Sequence, residues 1–441
     1  MSAIADAGGW RAAPLRTAEL IRDPVAMMRG LAARHGPTFR LTLLDGPSVV
    51  TGDPAFVREI YAADGGSLDA PNEIVAPLVG DGSIVLANGA RHRRKRKMMA
   101  PPFHGARMRT YGSIIADATR RALDGLTVGD AVDVLAITQK LSLDVILRAA
   151  FGVCEGPRVA ALHGAIARAV AGFPTWLMFA PALHRPFGGV GPWARYQRAV
   201  ADLGALLRDE IARARSAPEG SRDDVLSLLL AARDEDGAPM RDDELVDELR
   251  TLVIAGHETT ATTLAWTLWE LHRAPDALAR LTDALGALGD DAAPEAFARV
   301  PLLAATCDEA LRMHPIVPFF RRRVTRDTEL AGHRLPAGTL LSPSVALAHY
   351  DPAVFEAPDT FRPERFLGRK YGPSEFMPFG GGARRCVGAA FATFELQVAL
   401  GTWLTRHRFE AVPGAPLRLV MNGVTTRPSG RVRLRYRGPA A

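Results

Sequence analysis

Apolar and polar positions repeat along most of this chain with the 3.6-residue period of an amphipathic helix. Two stretches, around 38–52 and 316–345, instead carry short apolar runs broken by glycine and proline, which is typical of strands joined by turns. The pattern therefore predicts a mainly α protein with a minor β region. Helices rich in Ala, Leu, Arg and Glu are predicted at 107–126, 131–151, 194–215, 242–273, 275–288 and 388–404.

The helix predicted at 242–273 is much longer than the others. About 30 residues at about 1.5 Å each give a helix of about 45 Å, which is enough to cross the whole molecule. We find no internal repeat and no low-complexity tract, and the Pro/Gly stretches are too short to separate folded units. Residues 1–441 are therefore predicted to form a single domain around a central helix.

The composition, 48% hydrophobic and 23% charged, is that of an ordinary globular protein and excludes wholesale disorder and collagen-like or coiled-coil architecture. Three scattered cysteines, Cys154, Cys307 and Cys386, argue against a disulfide framework and for a reducing compartment. The N-terminal residues show no signal-peptide pattern, and the longest apolar stretch, 169–183, contains two prolines and is shorter than a membrane span of about 20 residues. We therefore expect a cytoplasmic protein without a transmembrane segment, with 169–183 as an apolar loop or lid.

The net charge of +6 and the pI near 9.5 would suit an anionic partner, such as nucleic acid, an anionic membrane surface or an acidic protein. The densest basic run covers 89–97, with the sequence Gly-Ala-Arg-His-Arg-Arg-Lys-Arg-Lys. By itself this run would favour a nucleic-acid patch or a solvated charged face. The choice depends on the chemistry carried by the rest of the chain.

One cysteine lies between a glycine-rich turn and the start of a predicted helix, in 379–388, Phe-Gly-Gly-Gly-Ala-Arg-Arg-Cys-Val-Gly. Glycine lets the backbone adopt positive φ and approach a flat ligand closely, while unpaired N–H groups of the loop and first helical turn point at the sulfur of Cys386. Together with Arg384 and the helix dipole, these groups favour thiolate over thiol. Taken alone, such a cysteine is more often a buried structural thiol.

The ten residues meet Phe-x-x-Gly-x-Arg-x-Cys-x-Gly at every fixed position, and this pattern resembles the haem-binding signature of the cytochrome P450 family. The resemblance covers nearly the whole chain and implies a triangular, mainly helical fold with haem b between the 242–273 helix and the cysteine loop. It implies that Cys386 is the axial ligand of the haem iron in a bacterial monooxygenase that uses O2 and two electrons. In the same loop it assigns cofactor contacts to Phe379, Gly380, Arg384 and Gly388.

Two further motifs resemble the family's structural network. Glu309 and Arg312 match its Glu-x-x-Arg helix motif, and Arg365 lies in Pro-Glu-Arg-Phe at 363–366. Residues at i and i+3 share a helix face, so Glu309 is expected to hold Arg312 while Arg365 completes the charge network. On its own a Glu-x-x-Arg pair would more often be solvated. The resemblance implies that the network stabilises the structure around the haem pocket.

Three basic residues resemble the family's contacts to the haem propionates. His92 and Arg96 are four residues apart in the basic run, which places them on one helical face. Arg322, in Phe-Phe-Arg-Arg-Arg at 319–323, fits the spacing of the family's strand arginine. Strand alternation would turn the arginines on either side of it the other way.

On the predicted central helix, 255–260 reads Ala-Gly-His-Glu-Thr-Thr and is similar to the family's oxygen-activation motif. The small residues Ala255 and Gly256 would let the helix pass close over a flat cofactor. Oxygen activation needs two protons, and Glu258 and Thr259 are the matching carboxylate and hydroxyl. Alternatively, Thr259 bonds to the carbonyl four residues back and Glu258 forms a surface ion pair.

The resemblance also indicates which residues line the substrate pocket. Nearly all are apolar, which predicts a lipophilic substrate, with a fatty acid or terpenoid favoured over a steroid or macrolide. Outside the central helix, each could equally be an ordinary core residue. The pocket residues are Ile74, Val75, Leu78, Phe173, Trp176, Leu252, Ala255, Ile316, Val317 and Val424, with Val79, Leu177, Phe179 and Phe319 beside them.

We expect a monomer that receives electrons from a separate ferredoxin- or flavodoxin-type donor with its reductase. The donor would dock by charge complementarity on a basic face formed by Arg93, Arg94, Lys97 and Arg385. One alternative is a peroxide-dependent peroxygenase or hydroperoxide isomerase on the same fold, although such an enzyme would need no proton relay. The chain could also be a basic nucleic-acid-binding protein, or a haem sensor or storage protein in which the relay pair would have no role.

Overall fold

Helices make up most of the structure. The computed structural model describes residues 4–103, 107–152, 156–178, 181–185, 187–218, 220–289 and 292–440, so Cys154 and Phe179 lie outside the described residues. The helices are α1 (Ala13–Arg22), α2 (Pro24–His35), α3 (Pro54–Ala63), α4 (Ala76–Val79), α5 (Gly89–Met99), α6 (Arg107–Leu123), α7 (Val134–Phe151), α8 (Pro157–Ala171), α9 (Thr175–Met178), α10 (Gly191–Ser216), α11 (Val225–Ala231), α12 (Asp242–Arg273), α13 (Pro275–Gly286), α14 (Pro301–Met313), α15 (Val345–Ala348), α16 (Arg365–Gly368) and α17 (Ala389–Arg406). None of these helices, within the described ranges, is both long enough and apolar enough to cross a membrane.

The strands are short and come from widely separated parts of the chain. They are β1 (Ala5–Asp6), β2 (Thr38–Leu43), β3 (Gly46–Thr51), β4 (Leu68–Asp69), β5 (Ala131–Asp133), β6 (Arg322–Val324), β7 (Thr328–Leu330), β8 (His333–Leu335), β9 (Leu340–Pro343), β10 (His407–Ala411), β11 (Leu419–Asn422), β12 (Thr425–Pro428) and β13 (Arg433–Pro439). A six-stranded sheet has the order β1-β2-β3-β9-β6-β4, and a three-stranded sheet has the order β10-β13-β5. The pairs β7–β8 and β11–β12 form two hairpins.

The predicted class, mainly α with a minor β region, is confirmed. The bounds of α12 are those predicted for the central helix. Acidic residues in its first turn and basic residues in its last turn complement the helix dipole and stabilise both ends. The prediction of helix at 131–133 is wrong. These residues form β5, which pairs with β13 at the other end of the chain, and a local pattern cannot show such a pairing.

The central helix α12 packs against α7, α10, α14 and α17 in the largest core cluster. A Cβ atom on Gly256 of α12 would come 3.2 Å from Ile146 Cδ1 of α7. Gly256 therefore allows α7 to approach α12 closely. The sequence did not predict this packing role, and the cofactor contact expected for Gly256 stays a prediction.

A buried lysine anchors α5 on α12. The Lys95 side chain is fully buried, and its Nζ lies 3.0 Å from Glu248 Oε1 and 3.3 Å from Glu244 Oε1. A buried cation is unfavourable unless it is paired, so these two carboxylates restrict where α5 can lie. The contact thereby positions His92 and Arg96, which belong to the same helix.

Glu309 of α14 is the centre of a buried charge network. Arg312 donates to it twice, from Nε to Oε2 at 2.7 Å and from Nη2 to Oε1 at 2.8 Å. Arg365 of α16 donates from Nε to Oε1 at 3.0 Å and also donates to three backbone carbonyl oxygens in 356–360. The structure therefore brings the three residues together and ties α14 to the segment before α16.

Arg365→Ala should lower the free energy of unfolding by about 3–5 kcal/mol, because the change leaves Glu309 buried with one partner fewer. Arg362→Ala is the matched control, since Arg362 pairs with Glu356 at the surface and such a pair contributes only about 0–1 kcal/mol. Urea unfolding of both variants measures the difference. Equal losses in the two variants would contradict a stabilising role for the buried network.

Candidate active site

The cysteine loop lies tightly on α3. Gly380 and Gly382 have φ of 63°, a left-handed conformation that favours glycine. A Cβ atom on Gly381 would come 2.3 Å from the ring of Tyr61, so the loop backbone rests directly on this side chain. The Cys386 N–H donates to Phe379 O at 3.0 Å and closes the loop just before α17 begins.

The Cys386 thiol is exposed but has dense protein around it. Burial raises the pKa of the thiol, while the Gly388 N–H, Arg385 and Arg96 act to lower it. The loop was expected to favour thiolate, with Arg384 as a contributor. Instead, burial outweighs the helix N-terminus, and the cations that act on the sulfur are Arg385 and Arg96. A coordinated metal cation would supply the further positive charge that deprotonates the thiol.

An internal apolar space lies beside α12. Ala255 is exposed although buried residues precede it and follow it along the helix. Because α12 crosses a close-packed core, an exposed residue at its centre indicates a space inside the protein. Val317 and Val424 are 36% and 39% exposed, and the Thr426 N–H donates to the carbonyl of residue 316 at 2.8 Å, which holds their two segments together. We infer that these side chains and Cys386 border one space.

Thr259 lies one turn after Ala255 on α12. Its Oγ1 donates to Ala255 O at 2.8 Å, and Thr260 Oγ1 donates to Gly256 O at 3.2 Å. Both threonines therefore form the bond to the carbonyl four residues back. The hydroxyl of Thr259 still has lone pairs with which it can accept a hydrogen bond.

Glu258 faces α7. Its carboxylate accepts hydrogen bonds from Gln139 Nε2 at 3.0 and 3.2 Å and lies 3.7 Å from His257 Nε2. Burial lowers the pKa of His257, so this imidazole is neutral at neutral pH. Glu258 is thus held by neutral groups rather than by a surface ion pair.

Positive charges converge near the cysteine loop. The pKa of His92 is lowered to about 4, first by burial and then by Arg384, Arg96 and Arg322. The pKa of Arg384 is lowered to about 10 by burial and by Arg322. A small cavity of about 60 Å³ lies against His92 and Arg384. Such a concentration of like charge suits an anionic ligand group.

These arginines also have partners within the protein. Arg322 forms a buried ion pair with Asp64. Arg96 Nη1 donates at 2.6 Å to a carbonyl oxygen of the cysteine loop, and Arg384 donates to the segment 87–88. The charge of Arg322, unlike that of the other two, is therefore already compensated by a carboxylate.

The arrangement fits a haem. A cysteine sulfur suits the iron, apolar walls that include Ala255 suit the macrocycle, and His92 with the neighbouring arginines suits carboxylates at its edge. Phe379 is partly buried against the main core, and Gly388 is the N-cap residue of α17. Phe379 thus precedes Cys386 in the loop, and Gly388 follows it where α17 begins.

The predicted pocket residues fall into groups with different exposure. Leu252 and Ile316 are buried in the main core, and for Ile316, which lies outside the central helix, this fits the alternative interpretation as an ordinary core residue. An apolar cluster, which we call the lid cluster, is formed by Val75, Val79, Phe173, Leu177, Met178 and Tyr196. Ile74 and Leu78 pack against the lid cluster, and Phe319 is partly buried. Trp176 is 53% exposed, although Leu177 beside it is fully buried.

Part of the basic run is engaged within the protein. Arg94 was expected to face outward, but its Nε lies 2.5 Å from Asp234 Oδ2 and its Nη1 lies 3.6 Å from Glu244 Oε2. Lys97 pairs with Glu235 at 3.2 Å on the surface. Arg94 is therefore not a free surface cation, because the acidic segment before α12 covers it. This pairing also weakens the case for a continuous nucleic-acid patch.

Some residues that hold the site together were not predicted. Lys95 shares a buried face of α5 with His92 and Met99, so the helical period alone could have identified it. Asp64 and Gln139 contact Arg322 and Glu258, which are far away in the sequence. No local signal marks such partners.

Comparisons with known proteins show the family and the fold. A family model described as Cytochrome P450 matches residues 15–434. A Mycobacterium tuberculosis protein provisionally named cytochrome P450 135B1 is 34% identical over 424 residues, which cover 95% of this chain and 88% of the relative. Another protein of that organism, provisionally named cytochrome P450 137, is 35% identical over 419 residues, which cover 93% and 85%. The solved structure of retinoic acid-bound cyanobacterial CYP120A1 has the same fold, with a TM-score of 0.84, 24% identity and 96% coverage of each chain.

Proposed function

This chain belongs to the cytochrome P450 family, and from that premise we propose that it hydroxylates or epoxidises a lipophilic small molecule. Enzymes of the family are monooxygenases that bind haem b. The observation that carries the proposal is that Cys386 and Ala255, at the middle of the otherwise buried helix α12, are both exposed, from which we infer a space between them. Thr259 follows Ala255 by one helical turn.

Cys386 would hold the haem iron through its sulfur, and the Gly388 N–H would moderate the charge on that sulfur. His92 and Arg384 would bind the propionates, with Arg96 tying α5 to the cysteine loop. When bound, the haem supplies the iron at which O2 is reduced. The protein itself supplies orientation, apolar walls and protons.

Thr259 and Glu258 are proposed to deliver those protons. Because the Thr259 hydroxyl donates to Ala255 O, its lone pairs can accept a hydrogen bond from a water molecule in the space and fix the position of that water. Glu258 is half-buried, and the neutral amide of Gln139 donates a hydrogen bond to its carboxylate without compensating the negative charge. It can therefore take a proton from solvent-connected water and return it to the site.

The substrate is proposed to be lipophilic, with a fatty acid or a terpenoid favoured. Val317 and Val424 are exposed apolar side chains, and the predicted pocket residues of the lid cluster are aromatic and aliphatic. The cyanobacterial neighbour binds retinoic acid, an isoprenoid acid, which supports a ligand of this kind.

A separate ferredoxin- or flavodoxin-type donor is proposed to supply the electrons. With Arg94 covered, the proposed docking face consists of Arg93, Lys97 and Arg385, all of which are exposed. Arg385 directly precedes Cys386. An acidic donor at this face would approach the side of the cofactor that carries the sulfur.

Thr259→Ala should uncouple electron consumption from product formation, because water in the space loses its acceptor. We expect product formed per electron pair to fall at least about tenfold, with hydrogen peroxide released instead. Thr260→Ala is the matched control, since Thr260 is buried and makes the same type of backbone bond. Donor oxidation, peroxide and product are measured together. If Thr259→Ala stays as coupled as Thr260→Ala, the proposed proton delivery is wrong.

Charge reversal at Arg93 and Arg385 should slow reduction by an acidic donor about tenfold at low salt, and the difference should shrink as salt screens the charges. Arg334→Glu, on the exposed β7–β8 hairpin, is the control. Stopped-flow reduction at several ionic strengths measures the rates. An unchanged rate and salt dependence in Arg93→Glu/Arg385→Glu would place the docking face elsewhere.

A further inference from the structure

A short acidic segment lies against the basic helix α5. It consists of Asp234, Glu235 and Asp236, between α11 and α12, and we call it the acidic loop. Asp234 Oδ2 lies 2.5 Å from Arg94 Nε, and Glu235 Oε1 lies 3.2 Å from Lys97 Nζ. Two consecutive acidic residues of the loop therefore contact two cations of α5.

The acidic loop is held in a tight turn by its own groups. Asp234 Oδ1 accepts hydrogen bonds from the N–H of Asp236 at 3.1 Å and from the N–H of Ala238 at 2.8 Å. The Gly237 N–H donates to Asp234 O at 3.1 Å. The side chain of Asp234 is 8% exposed, whereas that of Glu235 is 79% exposed. Asp234 therefore anchors the turn, while Glu235 and Asp236 face the solvent.

The acidic loop and the cysteine loop lie on either side of one exposed strip of α5. Successive residues of a helix are rotated by about 100°. Around α5 the order is therefore Arg96, Arg93, Lys97 and Arg94. Arg96 Nη1 donates at 2.6 Å to Arg385 O of the cysteine loop, whereas Arg94 contacts the acidic loop. The exposed cations Arg93 and Lys97 thus lie between the two loops.

The charge along this strip changes sign. Arg94 and Lys97 each have a carboxylate partner in the acidic loop. Arg93 and Arg385 are exposed and have no carboxylate partner among the described residues. Asp236 is also exposed and forms no ion pair in the described part of the chain. The strip is therefore positive beside the cysteine loop and negative at the acidic loop.

The negative charges are close enough to act on a partner that binds the strip. Glu235 contacts Lys97 directly, and Arg93 lies one helical turn, about 6 Å, from Lys97 along α5. Exposed charges act on each other over a Debye length of about 8 Å at physiological salt. A protein that covers Arg93 and Lys97 therefore also meets the field of Glu235.

We propose that the acidic loop forms a border of the docking face and repels the flank of an acidic donor. The face then fits a donor whose acidic patch is no broader than the strip between the two loops. This inference rests on the proposed function, because it concerns the face at which the donor is proposed to dock. Like charges that meet on encounter oppose association, and an interface can reject unsuited partners in this way.

The test removes the two exposed charges of the acidic loop in Glu235→Gln/Asp236→Asn. The probe is a strongly acidic [2Fe–2S] ferredoxin of the plant type, added to the haem-loaded protein. Binding is measured by the fluorescence anisotropy of labelled ferredoxin, and haem reduction by stopped flow. At low salt we expect this variant to bind about fivefold more tightly than the wild type and to be reduced faster, and the difference should vanish at high salt.

Asp276→Asn/Asp283→Asn is the matched control. It removes two exposed carboxylates from α13, which follows the opposite end of the 32-residue helix α12. We expect this control to bind the ferredoxin as the wild type does. Asp234 stays unchanged in both variants, so that the turn and its contact with Arg94 are kept. An equal gain in the control would show an effect of net charge alone and would overturn the border.

The remaining outcomes separate this inference from the proposed function. If Glu235→Gln/Asp236→Asn binds the ferredoxin no better than the wild type, or less tightly, the border is wrong. If charge reversal at Arg93 and Arg385 nevertheless weakens binding, the docking face stands without the border. If neither change affects binding, the ferredoxin docks elsewhere, and both the docking face and its border are overturned.

Discussion

The fixed position of a single thiol, that of Cys386, is the constraint on which the rest of the site depends. Cys386 lies where burial disfavours the thiolate, and the only nearby positive charges that oppose this among the described residues are Arg385 and Arg96, helped by the Gly388 N–H. A sulfur in such a place becomes a thiolate when a metal cation coordinates it. The loop must therefore hold the sulfur firmly and facing an internal space, which explains its left-handed glycines and its close contact with Tyr61.

The surrounding helices are fixed by buried charges rather than by apolar packing alone. Lys95 ties α5 to α12 through Glu244 and Glu248, and the Glu309 network ties α14 to the segment before α16. Removing one partner leaves the other charge buried without compensation and destabilises the protein strongly. These contacts therefore restrict the positions of the helices more than apolar packing would. They hold the wall that carries Ala255 and Thr259 in place relative to the cysteine loop.

Local signals predicted much of this arrangement. The bounds of α12 and the mainly α class follow from helical periodicity and residue content in single segments, and the cysteine loop was identified by its resemblance to a family signature. What could not be predicted depends on distant pairing. Strand β5 was predicted as helix, because its partner strand β13 lies about 300 residues later and the local pattern does not show the pairing. Arg94 was predicted to face outward, because its partner Asp234 lies in a distant segment. The packing of Gly256 against Ile146 was not predicted, because Ile146 lies in another helix.

The central claim, that Cys386 is the thiolate ligand of a haem in the space beside α12, is tested most directly by the absorption spectrum of the reduced carbon monoxide complex. We predict a thiolate-type Soret band in the wild type and in Cys154→Ser and Cys307→Ser. In Cys386→His the band should move to the position seen in imidazole-ligated haem proteins, with far-UV circular dichroism unchanged. A thiolate-type band that persists in Cys386→His, or that disappears in Cys307→Ser, would contradict the account.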